Sequence, residues 1–143
     1  MIFSNDMNNN KEELLKNIKS TYCRLRPSAV EGVGVFAIRD IPADIDLFQT
    51  GSLNWIKFQM DELKDLDEEI LKLVDDFCVI EADHSVYIPE RGFNGMDISF
   101  FINNSKTPNL KTIDGGETFV TLRDIKKGEE LTAAYSTYDY KYQ

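Results

Sequence analysis

The sequence predicts a mostly β fold with a few helices, built as one compact domain. Many short apolar stretches end at Gly, Pro, Asn or Asp, as short strands joined by tight turns do. Only two segments carry apolar residues at helical spacing, and strands and helices do not alternate regularly, so a Rossmann-type sheet is not expected. The chain has 143 residues, of which 42% are hydrophobic, enough for one core and too few for two comfortable domains.

The first 20 residues are predicted to form a polar tail and a short helix outside the main domain, which spans residues 21–143. Asn10 can cap a helix over residues 11–19. Its apolar positions form a narrow stripe that could invite a partner: Leu14, Leu15 and Ile18.

The short apolar stretches of the main domain are predicted to be extended and separated by turns. They are residues 22–26, 32–38, 45–48, 78–82, 86–88, 98–102, 119–122 and 131–135. A hairpin around residues 83–85 is expected to join two of them. His84, the only histidine, is interpreted as a turn residue without a catalytic role.

The clearest helix is predicted over residues 61–77, as an insert with one buried face. Its apolar positions are Leu63, Leu66, Ile70, Leu73, Val74 and Phe77. The other face is strongly acidic: Asp61, Glu62, Asp65, Asp67, Glu68, Glu69, Asp75 and Asp76. Two interpretations stay open, a solvated face or one border of a groove for a basic peptide.

The net charge of −9 argues against direct binding to nucleic acid, which needs clustered Lys and Arg, and is compatible with a basic protein partner. No apolar run is long enough to cross a membrane, and the N-terminus lacks the pattern of a secretory signal, so an intracellular location is expected. Cys23 and Cys78 have no Cys or His at metal-ligand spacing. Two reduced, buried thiols and no metal site are therefore predicted.

Two segments could form a ligand site, although residues 32–34 could also be a plain strand entry and residues 103–105 a plain Asx-rich turn. Gly32 and Gly34 flank Val33 and lack a Cβ, so a ligand could lie against this main chain, although the third Gly of a dinucleotide-binding motif is missing. Asn103 and Asn104 follow an apolar stretch and place side-chain amides at the edge of the predicted core. Buried amides need polar partners, and a polar ligand could be one of them.

Tyr135 is the third candidate, at the end of the last predicted strand. Its hydroxyl group can donate or accept a hydrogen bond. Tyr138 follows within the same aromatic C-terminal segment, whereas Tyr140 and Tyr142 are interpreted as C-terminal packing and solvated rings.

Three segments in order resemble the motifs of SET-domain methyltransferases. They are GVGVFA at residues 32–37, FINNSKTPN at residues 101–109 and GEELTAAY at residues 128–135. The resemblance covers roughly residues 22–140. It implies a β-clip-like fold of short curved sheets, in which the C-terminal segment threads under a loop as a pseudoknot, an exception to ordinary chain topology.

The same resemblance implies a protein-lysine N-methyltransferase that uses S-adenosyl-L-methionine. It assigns the cofactor to Gly32, Val33, Gly34, the side chain of Asn103 and the backbone of Asn104. Tyr135 would be the catalytic residue, and Tyr138 would line the channel for the substrate lysine. The expected substrate is a histone or another basic protein or peptide. Compact members without zinc segments resemble those of bacteria and viruses, which implies a cytoplasmic protein if the source is microbial.

The chain departs from the family pattern at several positions. Asn104 stands where His is usual, Lys106 where Cys is frequent, and Ala133 where many relatives have Phe or Tyr. The number of methyl groups added, the substrate and the oligomeric state stay open. A catalytically inactive SET-like binding module is the main alternative, and methylation of an acceptor other than lysine is a weaker one.

Overall fold

A computed structural model describes residues 7–48 and 54–143, with side chains from Asn10 onward. The predicted tail at residues 1–6 lies outside the described residues. The α-helices are α1 (Met7–Lys19) and α2 (Glu68–Phe77). The strands are β1 (Cys23–Pro27), β2 (Val33–Ala37), β3 (Trp55–Gln59), β4 (Ser85–Pro89), β5 (Asn103–Asn104), β6 (Leu110–Thr112), β7 (Phe119–Thr121) and β8 (Glu130–Ala133). Short 3-10 helices span Met60–Leu63, Gly92–Gly95, Ile98–Phe101, Tyr135–Thr137 and Tyr140–Tyr142. The predicted mostly β fold class is confirmed.

The largest sheet has the strand order β1-β2-β8-β5. Strand β8 pairs antiparallel with β2, where Val35 faces Leu131, and parallel with β5, where Asn103 faces Thr132. Two small antiparallel hairpins, β3–β4 and β6–β7, complete the β structure. A strand near the C-terminal end of the sequence therefore lies between two strands that precede it.

The loop after β5 holds β8 through Asn109, which is buried. Its Nδ2 donates to the carbonyl of Glu130 at 2.8 Å, and its Oδ1 accepts from the backbone N–H of Thr132 at 2.8 Å. One side chain thus satisfies a donor and an acceptor of the same strand, as a buried amide must. The C-terminal segment is held between β2 and this loop, in agreement with the expected pseudoknot.

Two apolar clusters form the core. The main one lies under the largest sheet: Cys23, Val35, Ala37, Ile41, Leu47, Ile102, Leu110, Phe119, Ile125, Leu131 and Ala133. A smaller one lies between α2 and the β3–β4 hairpin: Leu63, Val74, Cys78 and Val86. The insert therefore has its own small core, separate from the main core.

The predicted insert helix is two helices. A 3-10 turn ends at Leu63, and α2 begins only at Glu68 because the carboxylate of Asp67 caps it, accepting from the backbone N–H of Glu69 at 2.9 Å. A side chain that bonds its own backbone favours a helix start over continuation of a helix from the preceding residues. Val74 is the apolar position of α2 that is fully buried.

Several sequence predictions about single elements were wrong. Helix α1 begins at Met7, so Asn10 lies inside it and is not its cap. Ile98–Phe101 form a 3-10 helix, because Asp97 accepts from the backbone N–H of Ser99 at 2.9 Å and starts a helix there. Residues 78–82 form no strand, although an isolated antiparallel bridge from Ile80 to Val86 closes the predicted turn at residues 83–85. Strand β4 pairs mainly with β3, which was not predicted, and β6 was also missed.

The apolar stripe of α1 is exposed. The solvent-exposed fractions of Leu14, Leu15 and Ile18 are 56%, 50% and 57%. The division into residues 1–20 and 21–143 stays a prediction. In the described ranges, neither α-helix has the length and apolarity needed to cross a membrane.

Candidate active site

The glycine turn and Asn103 lie in contact. The turn is closed by a hydrogen bond from the backbone N–H of Ser28 to the carbonyl of Gly32 at 2.8 Å, and Gly32 has a φ of +46°. The Asn103 Nδ2 atom is 3.1 Å from the carbonyl oxygen of Glu31 and 3.3 Å from that of Val33. The first two motifs of the sequence therefore form one structural unit.

Gly32 in this turn and Gly34 in β2 are needed for different reasons. A Cβ at Gly32 would meet no atom within 4 Å, so its left-handed backbone is what favours glycine there. A Cβ at Gly34 would lie 2.8 Å from Glu130 Oε2 and 3.1 Å from Asn103 Nδ2. Gly34 therefore allows β8 and the end of β5 to approach β2 closely.

Asn104 holds the backbone of Tyr135. Its Oδ1 atom accepts from the Tyr135 N–H at 2.9 Å, beside the parallel β5–β8 pairing. The side chain that replaces the usual His thus has a defined structural role. It fixes the point at which β8 ends and the 3-10 helix of Tyr135 begins.

Tyr135 presents its ring to a cavity and its hydroxyl proton to the backbone. The hydroxyl donates to the carbonyl of Ile102. Burial raises the pKa of Tyr135 to about 12, and the nearby charges of Tyr142, Asp139 and Glu31 add to this effect. The phenol is therefore protonated at neutral pH and is unsuited to act as a general base there.

The cavity beside Tyr135 has a volume of about 420 Å³, within the range typical of ligand pockets. Its wall at this end is aromatic: the ring centroids are 5.9 Å apart for Tyr135 and Tyr138, 5.1 Å for Tyr135 and Tyr142, and 6.0 Å for Tyr138 and Phe119. Burial, followed by the charges of Tyr135, Asp139 and Tyr142, raises the pKa of Tyr138. Both hydroxyls therefore stay neutral at physiological pH.

The cavity and the glycine turn have separate linings. None of Gly32, Val33, Gly34, Asn103 or Asn104 is among the described residues that line the cavity. Ile102 and Tyr135 line it, and both adjoin elements of the largest sheet that also contact the turn. The predicted site residues thus form two neighbouring groups joined through β5 and β8.

The sequence model of the SET-domain family matches residues 32–136, well over half of the sequence. The chain belongs to the SET-domain family. No curated protein matches it. The match includes the glycine turn, the asparagine pair and Tyr135, which are the segments that the structure brings together. Family membership supports a methyltransferase-like function at the level of the family.

Solved structures share the SET fold. A candidate histone methyltransferase of Plasmodium falciparum has a TM-score of 0.52 and 15% identity, over 80% of this chain and 93% of that chain. A humanized mutant of the Polycomb Repressive Complex 2 of Chaetomium thermophilum, bound to an inhibitor, has a TM-score of 0.57 and 21% identity, over 84% of this chain and 15% of that chain. At such identities the likeness shows the fold alone.

Asp139 and Lys141 form a C-terminal clip that closes one side of the SET-domain cavity. Lys141 Nζ donates to the carbonyls of Asp75 and Cys78 at the end of α2 and lies 3.7 Å from Asp139 Oδ2. A cation at this position complements the negative end of a helix. The buried Asp139 carboxylate also accepts from the backbone N–H of Ile80 at 3.4 Å. The clip therefore fixes the C-terminal segment that places Tyr142 against Tyr135.

Sequence reasoning missed several of these residues. Tyr142 was interpreted as C-terminal packing, yet its ring lies 5.1 Å from that of Tyr135 and it lines the cavity. Ser28 and Glu130 contact Asn103, and only the position of Glu130 inside the GEEL segment offered a signal. Nothing in the sequence points to Lys141 or Asp139, because their partners lie about 60 residues away.

The prediction of two free, buried cysteines is confirmed, and burial raises the pKa of each thiol to about 11. Cys23 lies in a strand, whereas Cys78 caps the end of α2. Across residues 7–48 and 54–143, no group of three or more His, Cys, Asp or Glu side chains could hold a metal ion.

Proposed function

We propose that the protein transfers a methyl group from S-adenosyl-L-methionine to the side-chain amine of a lysine in a protein substrate. The observation that supports this most is the position of Tyr135. Its backbone is held by Asn104, its hydroxyl donates to Ile102, and its ring faces an aromatic cavity next to the turn that holds Asn103. In this proposal the glycine turn is the donor side, the cavity is the acceptor side, and Tyr135 would lie between them.

The glycine turn and Asn103 fit the methionine end of the donor. Because acceptor oxygens surround Asn103 Nδ2, its Oδ1 atom is oriented away from them and can accept a hydrogen bond from an ammonium group. The space around Gly32 lets a ligand approach the main chain. The fit of Val33, Gly34 and Asn104 backbone atoms to the rest of the donor is part of the same proposal.

The bound donor supplies a methyl group made electrophilic by a positively charged sulfur. The neutral lysine amine forms the new N–C bond as the C–S bond breaks, the electron pair stays on sulfur, and the product nitrogen loses a proton to solvent. The protein's part is chiefly to align these atoms. No nucleophilic side chain of the protein is needed.

Tyr135 would act as a hydrogen-bond acceptor. Its hydroxyl proton is donated to the Ile102 carbonyl. The lone pairs of the phenol oxygen can therefore accept weak C–H···O hydrogen bonds from the methyl group or an N–H···O hydrogen bond from the amine. Tyr138 and Phe119 would form an apolar wall of the lysine channel. A poorly hydrated channel favours the neutral amine, as does the neighbouring sulfonium charge.

The rim of the cavity supports a basic protein or peptide as the substrate. Asp76, Asp97 and Glu117 line the cavity and make no ion pair among the described residues, whereas the lining cation Lys141 is held by Asp139. Their combined charge would attract a cationic segment. We propose no direct nucleic-acid or membrane contact, and an intracellular location.

The decisive experiment combines binding and transfer. Calorimetry with S-adenosyl-L-methionine is expected to show one site, and specific binding should raise the melting temperature. Incubation with labelled donor and a panel of histones, a native lysate and free amines should then label protein, with mass spectrometry placing the methyl group on a lysine.

Each negative outcome has a distinct meaning. Binding without transfer to any acceptor would favour the inactive SET-like module. Absence of both binding and thermal shift would reject the proposed donor. Label on another amino acid or a small amine would keep the enzyme and change its acceptor. The contact between Asn104 and Tyr135 favours the active form, because the Asn104 side chain holds the backbone of the proposed catalytic residue.

A further inference from the structure

The two adjacent glutamates of the last motif have different environments. Glu129 Oε2 pairs with Arg123 at 3.0 Å on the surface. The Glu130 carboxylate has no Lys or Arg partner in the described part of the chain. It contacts the hydroxyl of Ser28 at 2.5 Å and Nδ2 of Asn103 at 3.0 Å. We call residues 28–34 together with Asn103 the glycine-turn region. Both partners of Glu130 belong to it and lie more than 25 residues away in sequence.

Ser28 connects the Glu130 carboxylate to the backbone of the glycine turn through hydrogen bonds. Its hydroxyl donates to Glu130 Oε1 and accepts from the backbone N–H of Val30 at 2.9 Å and of Glu31 at 3.3 Å. The proton of the hydroxyl is thereby directed to the carboxylate and its lone pairs to the backbone. The turn is thus tied to β8 through one side chain.

Asn103 is tied to the same carboxylate. Its Nδ2 atom lies within 3.3 Å of Glu130 Oε2, the carbonyls of Glu31 and Val33, and the hydroxyl oxygen of Ser28. The carboxylate and the two carbonyls can only accept, whereas the lone pairs of the Ser28 hydroxyl already face the N–H groups of Val30 and Glu31. Only a nitrogen fits there, so the amide has one orientation, and its Oδ1 atom is turned toward the side where the donor would lie.

We infer that Glu130 is a positioning residue that orients the Asn103 amide and holds the glycine turn for the methionine end of the donor. This inference rests on the proposed function and assigns Glu130 no contact with the reacting atoms. An ionised carboxylate suits the position because it offers two acceptor oxygens, one for Ser28 and one for Asn103. Gly34 lets it approach, since a Cβ there would lie 2.8 Å from Oε2.

Glu130→Gln removes one of the two acceptors without changing the size of the side chain. If the Gln oxygen faces Ser28, its amide nitrogen faces Asn103 Nδ2, and two donors meet. If the oxygen faces Asn103, the nitrogen faces a Ser28 hydroxyl that already accepts from Val30 and Glu31. Either orientation loosens the Asn103 amide or the turn.

The test measures binding of three ligands by calorimetry. S-adenosyl-L-methionine and S-adenosylhomocysteine share the amino-acid end, whereas 5′-methylthioadenosine lacks it. Glu130→Gln is expected to weaken the first two about tenfold by the same factor and to leave the third within about twofold. The matched control is Glu129→Gln, which should leave all three affinities within about twofold because this carboxylate lies in a surface pair.

Three results would overturn the inference while leaving the proposed function intact. They are unchanged binding by Glu130→Gln, an equal loss for 5′-methylthioadenosine, and a larger loss for the charged sulfonium ligand than for S-adenosylhomocysteine. The last result would indicate direct charge attraction in place of positioning. If the wild-type protein binds none of the ligands, the proposed function fails and the inference fails with it.

A second variant keeps the inference testable if Glu130→Gln does not fold. Ser28→Ala removes one hydroxyl and leaves the contact between Glu130 and Asn103. It is expected to weaken the two amino-acid ligands about threefold and to spare 5′-methylthioadenosine. Unchanged affinities for all three ligands would contradict the role of this carboxylate.

Discussion

The glycine-turn region and the cavity are built on different physical principles. The turn region is held by directed hydrogen bonds, with Asn103 and Ser28 each making several contacts within 3.3 Å. The cavity is bounded largely by aromatic rings packed edge to face, and the clip at Lys141 closes one side of it. Directed bonds fix atoms to within a fraction of an ångström, whereas aromatic walls exclude water and tolerate small displacements. For the proposed enzyme we therefore expect a rigid donor side and a more adaptable acceptor side.

The largest effect is expected from Gly34→Ala. The added methyl group would lie 2.8 Å from Glu130 Oε2, so β2 and β8 must separate or the carboxylate must leave Asn103. Overpacking of this kind costs about 1–3 kcal/mol, which predicts a loss of donor affinity of about tenfold to 100-fold. Calorimetry with S-adenosyl-L-methionine would measure it.

The control for that change is Gly92→Ala. Gly92, unlike Gly34, has a left-handed φ, of +70°, and a Cβ there would meet no atom within 4 Å. This variant should lose some thermal stability through backbone strain and retain donor affinity. Equal donor affinity in Gly34→Ala and the wild-type protein would show that the turn region is not rigid.

Tyr135→Phe tests the cavity, the other of the two regions. It removes the hydroxyl that bonds Ile102 and keeps the ring in the cavity wall. The rate of methyl transfer is expected to fall about tenfold, which corresponds to about 1.4 kcal/mol of transition-state stabilisation, while donor affinity changes less than about twofold. Single-turnover kinetics and calorimetry on the same sample would separate the two effects.

Tyr140→Phe is the matched control, because Tyr140 does not line the cavity. Its transfer rate should equal that of the wild-type protein. If Tyr135→Phe also retained the full rate, Tyr135 would have no part in catalysis.

Lys141→Met tests the clip and is expected to have an intermediate effect. It leaves the buried Asp139 carboxylate without its cation and the carbonyls of Asp75 and Cys78 without a donor. We expect a loss of about 1–3 kcal/mol in the free energy of unfolding and a severalfold higher KM for a peptide substrate. Lys141→Arg should restore part of both. An unchanged KM would mean that Tyr142 does not shape the acceptor side.

The smallest effect concerns alkaline pH. Folding raises the pKa of Tyr135 from about 10 to about 12, so the folded chain keeps a proton that the unfolded chain loses between these values. The corresponding stability is fully present below about pH 10 and is lost as the pH rises toward 12. The melting temperatures of wild-type and Tyr135→Phe proteins should therefore converge above pH 10.

The sequence was informative where a short motif carries its own geometry. The glycines and Asn103 were assigned to one site through the resemblance of their segments to SET-domain motifs, and the structure places them in contact. Helix α2 was detected by its periodicity, although Asp67 begins it seven residues later than predicted. Local patterns of this kind survive in the fold because neighbouring residues determine them.

The sequence was uninformative where distant or weakly patterned segments pair. Strand β3 shows little alternation, since most of Trp55–Gln59 is exposed, and only its partner β4 makes it a strand. The Ile98–Phe101 segment is apolar, but the Asp97 cap favours a 3-10 turn over an extended chain. The contact of Tyr142 with Tyr135 depends on the bonds of Lys141 to Cys78, which no local pattern encodes.

The central place of β8 in the largest sheet has a consequence for how the chain reaches its native state. Strands β2 and β5 leave the ribosome well before Glu130–Ala133, and neither can complete its edge until that strand arrives between them. Pairings between residues so far apart in sequence form slowly. Nascent chains should therefore spend time with unfilled strand edges, a state prone to self-association, until Glu130–Ala133 pairs with both strands.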